Sequence, residues 1–202
     1  MKNYDNILEV SKLEPDYMGF IFWKKSPRYF EGIIPELPIS IKKVGVFVNA
    51  SITEILSKVK EHNLDLIQLH GQESVSFCKQ LKSHNIITIK AFSIDNNFNF
   101  NTLKEYKLIC DYFLFDAKGK QPGGNGFAFD WDILKNYTHE NSYFLSGGIS
   151  LDNIIKINDF QYIIKKNNFL AIDVNSKFET EPGIKKITEL FELKKMLYEN
   201  EL

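Results

Sequence analysis

The residues best suited to chemistry stand just after short apolar runs. Arg28 is the sole arginine among 25 basic residues. It lies in the turn-rich stretch Trp23–Tyr29, WKKSPRY. A planar guanidinium grips a carboxylate or phosphate through two parallel N–H bonds, which an ammonium cannot do. The stretch reads as an anion grip or as a solvated loop. His70, with Gly71 behind it, follows the run 64–69 and could bind a ligand, move a proton or be a satisfied structural group. Asp116 follows the run 112–115, where a carboxylate is placed for acid/base work. Gly147 and Gly148 precede a helical pattern that starts at Leu151. Amides exposed at the positive end of a helix make a phosphate site. Asp173 closes the last apolar run. Asn175, Ser176 and Lys177 either complete that phosphate site or form an ordinary polar turn. The segment Lys118–Gly126 (KGKQPGGNG) has the composition of a lid, an anion-binding loop or a plain connection.

These residues need a frame that brings strand ends together. Apolar, β-rich runs recur at Tyr17–Phe22, Lys43–Val48, Leu64–Leu69, Ile86–Ala91, Tyr112–Phe115, Tyr143–Leu145 and Phe169–Val174. Most are continuous rather than alternating, as expected of parallel strands covered by helices on the far face. Between them lie helical patterns at Asp5–Leu13, Ser51–Glu61, Ser74–Ser83, Asp130–Lys135, Leu151–Asp159 and Lys185–Glu199. Ser51 with Glu54 three residues on forms a capping-box pattern. The segment Glu31–Pro38 carries two prolines, so any helix there is short or broken. Alternating β and α elements predict a parallel sheet, open or closed. A closed (β/α)8 barrel needs eight strands. The chain opens on a helix and offers seven, so either the sheet is open or one strand is absent at the start. In both arrangements ligands bind at the carboxyl ends of the strands, where the residues above cluster.

With 202 residues, 44% of them hydrophobic, the chain has material for one sizeable core, and a single domain over residues 1–202 is expected. A net charge of -1 gives no reason to expect nucleic acid as a partner. No apolar run reaches the roughly 18 residues of a membrane span. The N-terminus lacks the apolar stretch of a secretory signal. Two distant cysteines, Cys78 and Cys110, have no metal-type spacing and suit a reducing cytoplasm. No metal or cofactor site is expected.

The runs GFIFWKKSPRY, VGVFVN, IQLHG, FDAKGKQPGGNGFAFDW, LSGGIS and AIDVNSKFE, in that order, resemble the phosphoribosylanthranilate isomerase family over essentially the whole chain. The resemblance implies a TIM (β/α)8 barrel. It also implies a cofactor-free Amadori rearrangement of N-(5-phosphoribosyl)anthranilate to 1-(2-carboxyphenylamino)-1-deoxyribulose 5-phosphate, in tryptophan biosynthesis. By motif, Asp116 is the general acid and Arg28 binds the anthranilate carboxylate. His70 lies near the substrate. Gly147, Gly148, Asn175 and Ser176 surround the phosphate, with Asp173 at the strand end beside them. The only partner implied is the phosphosugar substrate, and the protein is a monomer or a homodimer.

Two departures accompany the resemblance. The family opens on a strand of the form KxKxCGM whose cysteine is the general base, and Met1 falls where the Met of that motif stands. Neither Cys78 nor Cys110 matches that cysteine. The expectation is a seven-stranded chain whose natural start lies upstream, with a non-catalytic phosphosugar-binding relic as the alternative. In addition, Lys177 replaces the glycine that the family places after Ser176.

Overall fold

A computed structural model describes residues 1–117, 131–154 and 168–198. The Lys118–Gly126 segment and most of the helix expected over Leu151–Asp159 lie outside the described residues; a helical turn occupies 151–154.

Among the described residues seven strands form one sheet: β1 Tyr17–Ile21, β2 Lys42–Phe47, β3 Leu66–Leu69, β4 Ile87–Ile94, β5 Tyr112–Ala117, β6 Tyr143–Leu145 and β7 Phe169–Ile172. They pair in chain order, and every pairing is parallel. Each expected apolar run became a strand. β4 and β5 extend past the expected ends, so Asp116 sits inside β5 and pairs with Ser93.

The helices α1 Tyr4–Ser11, α2 Ile52–His62, α3 Val75–Lys82 and α4 Ile187–Tyr198 match expected segments. Three begin at side-chain caps. Asn3, Ser51 and Ser74 each accept a backbone N–H from three residues on, which satisfies a donor the first turn would leave unpaired. The helix expected over Asp130–Lys135 is instead a 3-10 helix, Trp131–Asn136. It is only six residues long, and its buried Trp131 and Leu134 stand three apart, a spacing that the tighter coil eclipses onto one side. The expected start of the last helix at Lys185 is also corrected. Ile184–Lys185 forms β9, paired antiparallel with β8, Glu179–Glu181. No regular element forms over residues 31–38, as the two prolines require.

The continuous apolar runs have a simple cause: both faces of the sheet are covered. One face packs against the helices, with Phe20, Phe47, Ile67, Phe113, Phe115 and Tyr143 meeting Ile7, Ile55, Leu81 and Leu193. The other face forms a second, smaller cluster of Val44, Leu66, Ile89, Ala91, Leu114 and Phe144. The sheet is curled around this inner cluster. Tyr17 on β1 packs edge-on against Phe144 on β6, their ring centroids 5.0 Å apart, although four strands lie between them along the sheet. The fold is a TIM-type barrel wall of seven strands. Among the described residues no ladder joins β1 to β7. At that open side the α-amino group of Met1 donates to the carbonyl of Gly19, at 2.9 Å.

Candidate active site

Side chains of a strand alternate in direction, so every second residue of each run points inward. Following the inward phase to the carboxyl ends leads from Gln68 to His70, from Leu114 to Asp116, from Phe144 to Ser146 and from Ala171 to Asp173. All eight residues line one cavity of about 810 Å3. Val44, Ile89, Leu114 and Phe144 form its apolar wall, and polar groups mark its rim. Between β1 and β7 it reaches Val10 on α1, Leu13 just beyond that helix, and Leu190 and Leu193 on α4. Arg28 and Asn175 line it as well. Gly147, Gly148 and Ser176 adjoin the cavity as chain neighbours of Ser146 and Asn175 but are not among its lining residues.

Three polar groups form a chain across the rim. The Gln68 side-chain amide lies 2.7 Å from His70 Nδ1, and His70 Nε2 lies 3.2 Å from Asp116 Oδ2. His70 and Asp116 have side chains only 10% and 5% exposed, so water competes little with this contact. Asp173 completes the group. Burial pushes its carboxyl above the ordinary range and the nearby Asp116 charge adds to that, while Lys185, His70 and a hydrogen bond with Ser146 oppose it.

Arg28 is held rather than free. Its Nε donates to both carboxylate oxygens of Glu179, at 3.1 and 2.8 Å, and its Nη2 lies 2.7 Å from Oε2. Lys185 Nζ donates to the same carboxylate at 3.2 Å, to Asn175 Oδ1 at 2.8 Å and to the Val174 carbonyl at 3.1 Å. Desolvation would raise the Glu179 carboxyl, but its two cationic partners outweigh it and hold the group below the usual range. Burial drives Lys185 the other way, down, with Glu179 and Asp173 opposing. The Lys185 backbone is clamped by Asn6 of α1, whose side chain accepts from the Lys185 N–H at 2.7 Å and donates to its carbonyl at 2.9 Å. The short β8–β9 hairpin thus carries the charge that aims Arg28.

On the other side of the rim, Gly147 and Gly148 have φ of +94° and +68°. A Cβ on Gly147 would lie 2.5 Å from the Ala117 nitrogen, so the residue after Asp116 closes on this turn. Among the described residues neither glycine amide has a hydrogen-bond acceptor. Asn153 pins the turn: its Oδ1 accepts from Ser150 N, and its Nδ2 donates to the Gly148 carbonyl, both at 2.8 Å. Lys177 is exposed.

The expected residues therefore meet at one rim. Reading the sequence missed Glu179, Lys185 and Gln68. It also missed the buried pair Glu73–Lys90, whose ions lie 3.1 Å apart. Glu73 accepts from the amides of Asn49 and Gly71, and Lys90 donates to the carbonyls of Leu69 and Gly71, so the pair frames the loop that carries His70. Two of these groups had a readable signal. Gln68 is in phase with His70, and Lys90 is a charge inside an apolar run.

A family model described as N-(5'phosphoribosyl)anthranilate (PRA) isomerase matches residues 1–195. A relative of that name from Parabacteroides distasonis is 41% identical over 196 residues, covering 94% of this chain and 87% of the relative. One from Phocaeicola vulgatus is 38% identical over 185 residues, covering 92% and 88%. The crystal structure of the Thermotoga maritima phosphoribosyl anthranilate isomerase superposes with a TM-score of 0.79 at 28% identity, covering 99% of this chain and 94% of that one. A phosphoribosyl anthranilate isomerase solved in complex with reduced 1-(o-carboxyphenylamino)-1-deoxyribulose 5-phosphate superposes with a TM-score of 0.76 at 28% identity, covering 96% and 93%. The parallel strands, the shared rim and these matches lead to one conclusion: the chain belongs to the N-(5'-phosphoribosyl)anthranilate isomerase family.

Proposed function

We propose that this barrel, one domain over residues 1–202, binds N-(5'-phosphoribosyl)anthranilate and isomerises it to 1-(2-carboxyphenylamino)-1-deoxyribulose 5-phosphate. The supporting observation is that Arg28, His70, Asp116, Asp173 and Asn175, drawn from four different strand ends, line one cavity. Asp116 donates a proton to the ribose ring oxygen, and the C1–O bond breaks to give a Schiff base. A base then takes the C2 proton, and the electron pair moves into the iminium to form an enolamine. Tautomerisation of the enolamine yields the ketose. The iminium is the electron sink, so the steps balance without a cofactor. Arg28, aimed by Glu179, receives the anthranilate carboxylate. The Gly147 and Gly148 amides, with Asn175 and Ser176 across the rim, receive the phosphate.

In this reading the base is the cysteine of the KxKxCGM strand. Cys78 and Cys110 are buried and line no part of the cavity, so neither replaces it. Turnover in this reading therefore requires that cysteine. A strand of that form joined ahead of Met1 fills the open side between β1 and β7 and restores the base. Turnover by such an extended chain, with and without Asp116→Asn, is the test. The substitution is expected to lower the rate by at least about 100-fold, the scale of one positioned acid. Full activity of Asp116→Asn refutes Asp116 as the acid. An extended chain that binds substrate but never isomerises it points to the non-catalytic relic.

A further inference from the structure

Gln68 is a polar side chain at the rim without a part in the chemistry above. Gln68 is buried in the barrel interior, and its amide nitrogen points at His70 Nδ1 from 2.7 Å. A side-chain NH2 can only donate. The Nδ1 facing it must therefore be the lone-pair nitrogen. In a neutral imidazole the ring proton then sits on Nε2, the atom 3.2 Å from Asp116 Oδ2. The opposite end gives the same answer. A carboxyl oxygen that bears no proton can only accept, so with Oδ2 unprotonated Nε2 carries the ring proton and Nδ1 is left to receive one from Gln68. The two ends of the chain agree on a single direction of donation.

We infer that Gln68 is a positioning residue that fixes His70 as the Nε2–H tautomer and thereby confines the exchangeable proton of Asp116 to its other oxygen, Oδ1. The kinetic consequence rests on the proposed role of Asp116; the tautomer itself does not. When Asp116 releases its proton, negative charge develops on a carboxylate whose Oδ2 already accepts a fixed, nearly dry N–H. A donor already oriented toward developing charge lowers the barrier with no reorganisation at that moment. Gln68 touches no reacting atom and acts only by holding the ring. Place in the sequence supports this. Gln68 and His70 are two apart, so both project inward from one β3 edge, and Glu73 and Lys90 brace the loop behind them.

Two variants and two readings test it. In 15N NMR of the full chain with labelled histidine, His70 Nδ1 is expected to read as unprotonated and Nε2 as protonated at pH 7. Gln68→Glu puts an acceptor at Nδ1, so both nitrogens should then read as protonated. Gln68→Leu removes the donor, and the ring should move toward a mixture of tautomers. A merely structural glutamine would alter stability and leave these signatures in place. In the extended, active chain Gln68→Leu should lower kcat by about 10- to 100-fold, the usual scale for a supporting contact, and change KM by less than about threefold. A wild-type ring protonated at Nδ1, or a ring signature unmoved by Gln68→Glu, overturns the inference. The expected NMR pattern in a protein without turnover would instead count against the proposed function and leave the tautomer assignment standing.

Discussion

Replacing Glu179 by glutamine removes one charge and almost no volume, so its effect isolates the ion cluster beneath the rim. The Glu179 side chain is 3% exposed and its carboxylate accepts from Arg28 Nε, Arg28 Nη2, Lys185 Nζ and the Gly183 amide. A glutamine offers one acceptor and turns a donor toward cations that have nothing else to give. Lys185 is 8% exposed, and burial already pushes it toward neutrality; the Glu179 charge is the largest influence opposing that. Breaking one partner out of a buried pair costs about 3–5 kcal/mol. Surface screening removes little here, because Glu179 and Lys185 are nearly inaccessible and Arg28 is 13% exposed. For a chain of this length each kcal/mol lowers Tm by about 2–4 °C, so a fall of about 6–20 °C is expected. Thermal and urea unfolding measure it. The double variant Glu179→Gln with Lys185→Met should lose less than the sum of the two single losses, since it removes both ends of one pair. The pH dependence has a definite sign. The folded Glu179 carboxyl lies below its ordinary 4.5, so its stabilisation is present above that pH and is lost as the pH falls below it toward the folded value. The gap between wild type and Glu179→Gln must narrow in acid. A variant within about 1 kcal/mol of wild type at neutral pH, or a gap that widens in acid, would refute this reasoning.

Other outcomes follow from the same structure. Gly147→Ala must force an L-residue into φ +94° against the Ala117 backbone and is expected to cost about 1–3 kcal/mol, read by denaturant unfolding. Asp116→Asn is expected to remove at least about 100-fold of the rate in the extended chain.

Much of the frame was legible because burial on two faces leaves apolar runs that punctuation by polar loops cuts to strand length. The rim was legible for a related reason. His70, Asp116 and Asp173 continue the inward phase of Gln68, Leu114 and Ala171, so a polar residue at that phase stands out. The Arg28 environment was not. Glu179 lies 151 residues away and meets Arg28 only because the β8–β9 hairpin folds beneath the rim. That hairpin escapes notice because its strands are three and two residues long, too short for any periodicity. Glu73 reads as a surface carboxylate in the sequence GQES. Only the fold reveals that it is 6% exposed and answers Lys90. The helical pattern at Asp130–Lys135 does not distinguish the 3-10 helix Trp131–Asn136 from an α-helix, because one turn of either buries the same two positions.

The proposed function requires that Arg28 and the Gly147–Gly148 turn grip opposite ends of one ligand across this cavity. Calorimetric titration with reduced 1-(o-carboxyphenylamino)-1-deoxyribulose 5-phosphate, the ligand in a solved relative, reads that claim without requiring turnover. One saturable site is expected. Arg28→Leu should weaken binding by about tenfold or more, the scale of one charged hydrogen-bonded contact, and Gly147→Ala should weaken it as well. Saturable binding that neither substitution disturbs, or no binding at all, would contradict it.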